Sequence, residues 1–266
     1  MSEKFIISSA YSSRKAAVKA AIIEFNEHTE ILGAAERNVI KIADIKGEKQ
    51  TIKSFKTPNI LNQIIYKFFR KSKAQRSYEY AQKLLTLGIN TPFPVAYQLN
   101  STPLLFKKSY YVSKLIDYDL TYRELTKDLE IVDHEAILRA FTRFTYSLHK
   151  NNVNFLDHSP GNTLIVREKG GYEFYLVDLN RMEFGAMDFE TRIKNFSKLT
   201  IHKDMIKIMS NEYAKCSGEN EHKIFELMWF FTVQFQNKFY RKNRIKKRLF
   251  FWKKKYKSRL TKSPIE

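Results

Sequence analysis

The chain has 266 residues, 43% hydrophobic and 14% aromatic, enough for one large domain or two lobes with real cores and too apolar for a disordered chain. A single cysteine, Cys216, excludes an internal disulfide and suits a reducing compartment, while the net charge of +19 points to anionic partners. The start, MSEKFIISSAYSSRKAA, lacks the apolar run of a secretory signal, and the longest apolar cluster, 225–235, is broken by Glu226 and Gln234. It falls well short of the roughly 20 residues of a membrane-spanning helix. These features predict a cytoplasmic protein, soluble or peripheral on the inner face of a membrane.

In chain order, residues 14–25 suit a helix and 27–37 lead toward a strand. Residues 39–45 and 51–56 read as two antiparallel strands joined by a Lys46-Gly47 turn, with Pro58 closing the second. Residues 59–70 carry apolar side chains at 60, 61, 64, 65, 68 and 69, the spacing of one helix face. A second helix over 73–87 ends at Gly88. Pro92, Pro94 and Pro103 punctuate strands at 95–99 and 110–116. Thr121 with Glu124 has the form of a capping box, and Asp133 is placed to cap a helix over 135–150. That helix has a core stripe of Ile137, Leu138, Phe141, Thr145 and Leu148. From about Phe189 onward the pattern is helical.

Residues 153–185 carry the chemistry. Two β-branched and aromatic runs, 163–167 and 172–177, flank Gly170-Gly171 and predict a hairpin. Folded about Gly170, the ribbon sets positions summing to 340 opposite each other, so Asn162 faces Asp178 at roughly 5 Å. Asp157 stands five residues before Asn162, on a loop turned by Pro160-Gly161. Two carboxylates and an amide at one mouth of a small sheet suit magnesium, a hard cation that takes few protein ligands and fills its shell with phosphate oxygens. This is the ligand set of a phosphoryl-transfer site.

Such a site also needs a cation for the phosphates. Lys53 and Lys56 both lie in TIKSFK; Lys53 is preferred, because Lys56 abuts Pro58 and leaves the sheet. Glu79 is the best-placed acid on the following helix to orient that lysine. His149 and His158 have no Cys or His at metal-ligand spacing. His149 reads as structural; His158 either packs or faces the substrate.

After Glu226 there are 13 Lys/Arg and one acid, interleaved with Phe239, Tyr240, Phe250, Phe251, Trp252 and Tyr256. This basic aromatic stretch suits an anionic membrane surface. A solvated helix packed by its aromatics is the alternative, and nucleic acid the least favoured partner. The chain therefore divides into an N-terminal extension (1–37), a small β-rich N-lobe that holds the nucleotide (38–117), a larger helical C-lobe with the catalytic loop (118–235) and a basic tail (236–266).

The pieces IKSFK, EYAQKLLTLGINTP, YYVSKLI, LDHSPGN and LVDLNR, spanning about residues 38–185, resemble the bacterial lipopolysaccharide (Kdo/heptose) kinase family, with its bilobal, α+β, protein-kinase-like fold. The resemblance implies an ATP- and magnesium-dependent phosphotransferase acting on a sugar hydroxyl of the lipopolysaccharide inner core. It implies Asp157 as the base for the attacking hydroxyl, Asn162 and Asp178 as magnesium ligands, and Lys53, oriented by Glu79, on the α- and β-phosphates. Adenine would bind backbone groups near 112–115. Other readings are a protein or small-molecule kinase of the same fold, or a non-catalytic nucleotide- or membrane-binding scaffold. Phe155 replaces the histidine usual two residues before the catalytic aspartate, Asp178-Leu179-Asn180 replaces the DFG triplet, and no G-x-G-x-x-G occurs near Gly33.

Overall fold

The computed structural model describes residues 2–32 and 38–260, with side chains through Arg248; Gly33 and the aromatics beyond Leu249 singled out above fall outside the described side chains. The chain forms two compact units, Met1–Ala186 and Met187–Glu266.

The first unit opens with β1 (Ser2–Ile7), a 3-10 turn and α1 (Lys15–Ile23). Then come β2 (Asn38–Asp44), β3 (Lys49–Phe55), α2 (Ile60–Phe68), α3 (Lys73–Thr86), β4 (Pro94–Ser101) and β5 (Phe106–Lys114). The five strands form one antiparallel sheet in the order β1-β4-β5-β3-β2. Val18 and Ile22 of α1 pack with Ile52, Val95 and Val112 of the sheet, so the small β-rich half has a core of its own. At the β2–β3 turn, Lys46 and Gly47 have φ of 56° and 77°, and Asp44 Oδ1 accepts from the Gly47 N–H at 2.8 Å. A two-residue turn with both φ positive matches the twist of the strands it joins. Glu30 and Leu32 run beside β2, exchanging backbone bonds with Ile42 and Ile40. The N-terminal residues, which the sequence left largely open, thus add an edge strand and a covering helix to the sheet.

α3 begins at Ser72, whose hydroxyl accepts from the Gln75 N–H, and ends before Gly88 at φ 71°. It buries Tyr78, Ala81 and Leu84. α2, by contrast, turns its apolar stripe outward and buries Gln63.

The first unit continues with β6 (Leu120–Thr121), α4 (Tyr122–Lys127), α5 (His134–Lys150), β7 (Val153–Phe155), β8 (Thr163–Glu168), β9 (Gly171–Leu176) and β10 (Met182–Phe184). Glu124 Oε2 accepts from the Thr121 N–H at 2.5 Å, in the capping box expected there. The α5 stripe is fully buried as its period requires, with Phe141 against Tyr122 and Phe174. Asp133 stands at the α5 N-cap position but does not cap. Its backbone is left-handed, at φ 64°, and its side chain makes no bond to the helix N–H groups.

The hairpin forms between β8 and β9 with a register one residue away from expectation. Thr163 faces Leu176 and Glu168 faces Gly171, because Lys169 and Gly170 together form the two-residue loop instead of Gly170 acting as a pivot. Asn162 consequently lies across from Val177, whose N–H donates to the Asn162 carbonyl at 3.0 Å. The β7–β10 ribbon, three residues on each side, sets Phe155 opposite Met182.

The second unit is helical, with α6 (Phe189–Lys194), a 3-10 turn, α7 (Lys203–Ser217) and α8 (Glu221–Leu260). α7 stops at Gly218, φ 73°. Ile224, Met228 and Phe231 anchor the first turns of α8. The 40 residues of α8 would extend about 60 Å at 1.5 Å per residue. The described part of the basic stretch continues this helix, with Phe239 and Tyr240 exposed. Among the described residues, no helix is long and apolar enough to cross a membrane.

Candidate active site

The residues of the LDHSPGN motif sit between β7 and β8. β7 ends in Phe155, fully buried among Leu148, Leu176, Leu179 and Met182. That packing braces the loop where a histidine would otherwise be expected. His158 is buried too, its ring 5.4 Å from Phe141 and 5.8 Å from Phe155, so it packs in the core and does not face a cleft. Leu156 N–H donates to the Arg181 carbonyl at 3.1 Å, tying the loop to the segment after β9.

Within the loop, Asn162 Nδ2 donates to the Asp157 carbonyl at 2.7 Å, and its N–H donates to the Ser159 carbonyl at 2.9 Å. The amide nitrogen is committed to the loop, which leaves its oxygen as the group to offer a ligand. Asp178 stands one position past the residue across from Asn162. This residue follows Val177 directly and adopts φ 59°, a left-handed conformation uncommon outside glycine. Asp178 Oδ1 accepts from Lys53 Nζ at 2.6 Å and from Asn180 Nδ2 at 2.6 Å. Its Oδ2 has no protein partner among the described residues. Asp157 is half-buried, with Oδ1 3.9 Å from Arg181 Nη1.

Lys53 stands on β3, between Ile40 of β2 and Tyr111 of β5, and its side chain is 13% exposed. It reaches across to Asp178 and so joins the sheet to the hairpin mouth. Lys56 lies beyond the end of β3 and is exposed. Glu79 is not brought to Lys53. Its carboxylate is held by Lys71 at 2.7 Å and Gln75 at 2.9 Å, on the outer side of α3. Two cation and amide donors within its own neighbourhood satisfy it, and the carboxylate that meets Lys53 is Asp178.

A cavity of about 260 Å³ opens between the sheet and the hairpin, with Lys53, Tyr111, Leu115, Ile116, Asp178 and Leu179 in its wall. It has an apolar end at Leu115 and Ile116 and a charged end at Lys53 and Asp178. Burial pushes the Tyr111 phenol well above its ordinary range, against the pull of a Ser113 hydrogen bond, so it stays neutral. Lys114, also in the wall, is drawn aside by Glu48 at 2.8 Å; that hydrogen bond raises the ammonium's pKa. The N–H groups of Lys114 and Leu115 already serve the Phe93 and Lys49 carbonyls.

No family model matches the chain, and no curated protein matches it. Solved structures do. A chain titled "WaaP in complex with acyl carrier protein" superposes with a TM-score of 0.59 at 12% identity, covering 88% of this chain and 97% of that one. The chain shares the fold of that WaaP chain. At that identity the likeness concerns the backbone, a bilobal, protein-kinase-like α+β architecture, and the site rests on its own geometry.

Two contributors escaped the sequence reading: Asn180, which holds Asp178, and Arg181, which approaches Asp157. Their signal was present in LVDLNR, two and three residues past Asp178. A left-handed residue at the strand exit folds the next residues back toward it, which strand periodicity does not anticipate.

Proposed function

We propose that this chain is an ATP-dependent kinase that transfers the γ-phosphate to a sugar hydroxyl of the lipopolysaccharide inner core, on Kdo or heptose. One observation carries the reading: Lys53 from the sheet and Asp178 from the hairpin meet at 2.6 Å beside a loop that holds Asp157 and Asn162. A cation for phosphate, two oxygen ligands for a metal and a carboxylate for a hydroxyl proton are the parts phosphoryl transfer requires.

Asp178, through its unpartnered Oδ2, and Asn162, through its amide oxygen, fit the hard oxygen donors magnesium prefers. Bound there, magnesium would neutralise charge on the phosphate oxygens. Lys53 would leave Asp178 for the α- and β-phosphates, with Asn180 keeping the carboxylate in place. Adenine would lie at the apolar end of the cavity, along 112–116. Asp157 would accept the proton of the attacking hydroxyl as its oxygen bonds to the γ-phosphorus and ADP departs. Glu79 has no part in this scheme. Residues 38–117 would supply the nucleotide half and 118–235 the loop, metal ligands and acceptor surface. The lipid-linked acceptor lies at a membrane, and the 13 cations after Glu226 would hold the protein against its anionic cytoplasmic face.

Mass analysis of the lipid–sugar core from cells with and without the protein tests the proposal. A core lighter by one phosphate when the protein is absent, restored by the wild type and not by Asp157→Ala, is expected. An unchanged core in both would refute the acceptor.

A further inference from the structure

α2 is folded inside out for a helix on a soluble sheet. At 100° per residue, Ile60, Ile64, Phe68 and Leu61 fall within an arc of about 100°, a continuous apolar face of the kind that normally packs inward. Here that face points to solvent: Ile60 is 68% exposed, Leu61 69%, and Phe69, just past the helix, 82%. The face that meets the sheet carries Gln63, Tyr66 and Lys67. Gln63 is buried and donates to the Pro58 carbonyl at 2.9 Å; Tyr66 packs on Phe106; Lys67 donates to Ser101 Oγ at 3.0 Å. The helix is therefore fixed in this orientation by polar contacts while its large apolar side chains remain outside. Exposed apolar patches of this kind mark surfaces that bind something.

The charge around the patch says what. From Lys56 to Lys73 the chain carries Lys56, Lys67, Arg70, Lys71 and Lys73 and no acid. Arg70 and Lys73 are exposed, and Lys71 keeps most of its side chain in water beside Glu79. Bulky aliphatic and aromatic residues on an outward arc, flanked by cations, are the composition of a helix lying in the plane of a lipid–water interface. An apolar pocket on a protein would explain the arc but not the exposed cations Lys56, Arg70, Lys71 and Lys73 at the two ends of α2, and a polyanion would explain the cations but not the arc.

We infer that α2 and the following turn, through Ile60, Leu61, Ile64, Phe68 and Phe69, form a membrane-docking element that inserts into the headgroup region of an anionic bilayer. This element lies in the first unit and is separate from the basic end of α8. It does not depend on the acceptor's identity, so it stands or falls apart from the kinase proposal.

The test uses the full chain with Leu61→Trp in a Trp229→Phe/Trp252→Phe background, mixed with vesicles of zwitterionic phosphatidylcholine with or without phosphatidylglycerol. The expected result is a blue shift of indole emission, and quenching by brominated acyl chains, with the anionic vesicles. In the otherwise native chain, Leu61→Gln/Phe68→Gln/Phe69→Gln should weaken partitioning onto anionic vesicles by about tenfold or more, with melting temperature unchanged because these side chains are exposed. Vesicle binding by the Leu61→Trp chain with no change in its emission would overturn the inference, placing contact on α8 alone. So would unchanged partitioning of the triple variant, or an emission shift produced by a small acidic protein and not by vesicles.

Discussion

Replacing Lys53 with methionine removes its charge while keeping an unbranched stem of similar length, and the structure gives separate expectations for stability and activity. The Lys53–Asp178 pair is 2.6 Å apart with side-chain exposures of 13% and 31%, between the surface and buried extremes. Surface pairs contribute about 0–1 kcal/mol, and breaking a buried pair costs about 3–5 kcal/mol. Asp178 keeps Asn180 and partial access to water, so the loss should sit near the lower end, about 1–2 kcal/mol. For a chain of this size that lowers Tm by about 2–6 °C. Loss of a cation from the phosphates should cost much more in turnover, about 10²–10³-fold, comparable with removing one preorganised donor from an oxyanion site. Transfer from γ-labelled ATP, measured beside thermal melting on the same preparations, separates the two effects. A loss below about tenfold, or a melting shift large enough to unfold the protein at the assay temperature, would refute the assignment of Lys53 to the phosphates.

Glu79→Gln should change kcat/KM by no more than about threefold, since the carboxylate is held by Lys71 and Gln75 on the outer side of α3; a loss matching that of Lys53→Met would restore its role as the lysine's orienter. Phe155→Ala should cost about 3–5 kcal/mol in denaturant unfolding and lower activity with it, because that ring both fills the core and braces the loop. Although burial opposes it, hydrogen bonds from Lys114 and Tyr11 hold Glu48 below its ordinary value near 4.5. Stabilisation from this carboxylate should be complete above that value and lost as pH falls through its folded value. Glu48→Gln should therefore cost about 0.5–1 kcal/mol at pH 7 and progressively less as pH falls below the ordinary carboxylate range; a cost that does not fall with pH would count against the ionic network.

Features governed by short-range chemistry were legible in the residues: the Lys46-Gly47 turn, the Gly88 stop, the α5 stripe and the β8–β9 hairpin. Which lysine meets the hairpin was legible as well, since Pro58 ends the strand soon after Lys53. The hairpin register was not. Gly170 and Gly171 are adjacent, and a turn centred on one glycine or spread over Lys169-Gly170 differs by a single residue. The slip sets Val177, not Asp178, across from Asn162, and Asp178 leaves the strand with a left-handed backbone that alternation does not foresee. The β7–β10 ribbon is three residues long on each side, too short for alternation to show. For α2 the period was right and its direction was hidden. A helix face carries no mark of whether it packs on a sheet or on something outside the chain, and here the polar contacts of Gln63 and Lys67 decided it. Glu79 shows the same limit, because a helical acid meets whichever cation lies nearest in space.

The most direct measurement is transfer of label from γ-labelled ATP, with magnesium, to extracted lipid–sugar acceptor by the purified chain. Label on the sugar is expected with the wild type and none above background with Asp157→Asn or Asp178→Asn, each still folded by melting. Undiminished transfer by either variant, or label recovered on protein instead of the lipid–sugar fraction, would contradict the kinase assignment.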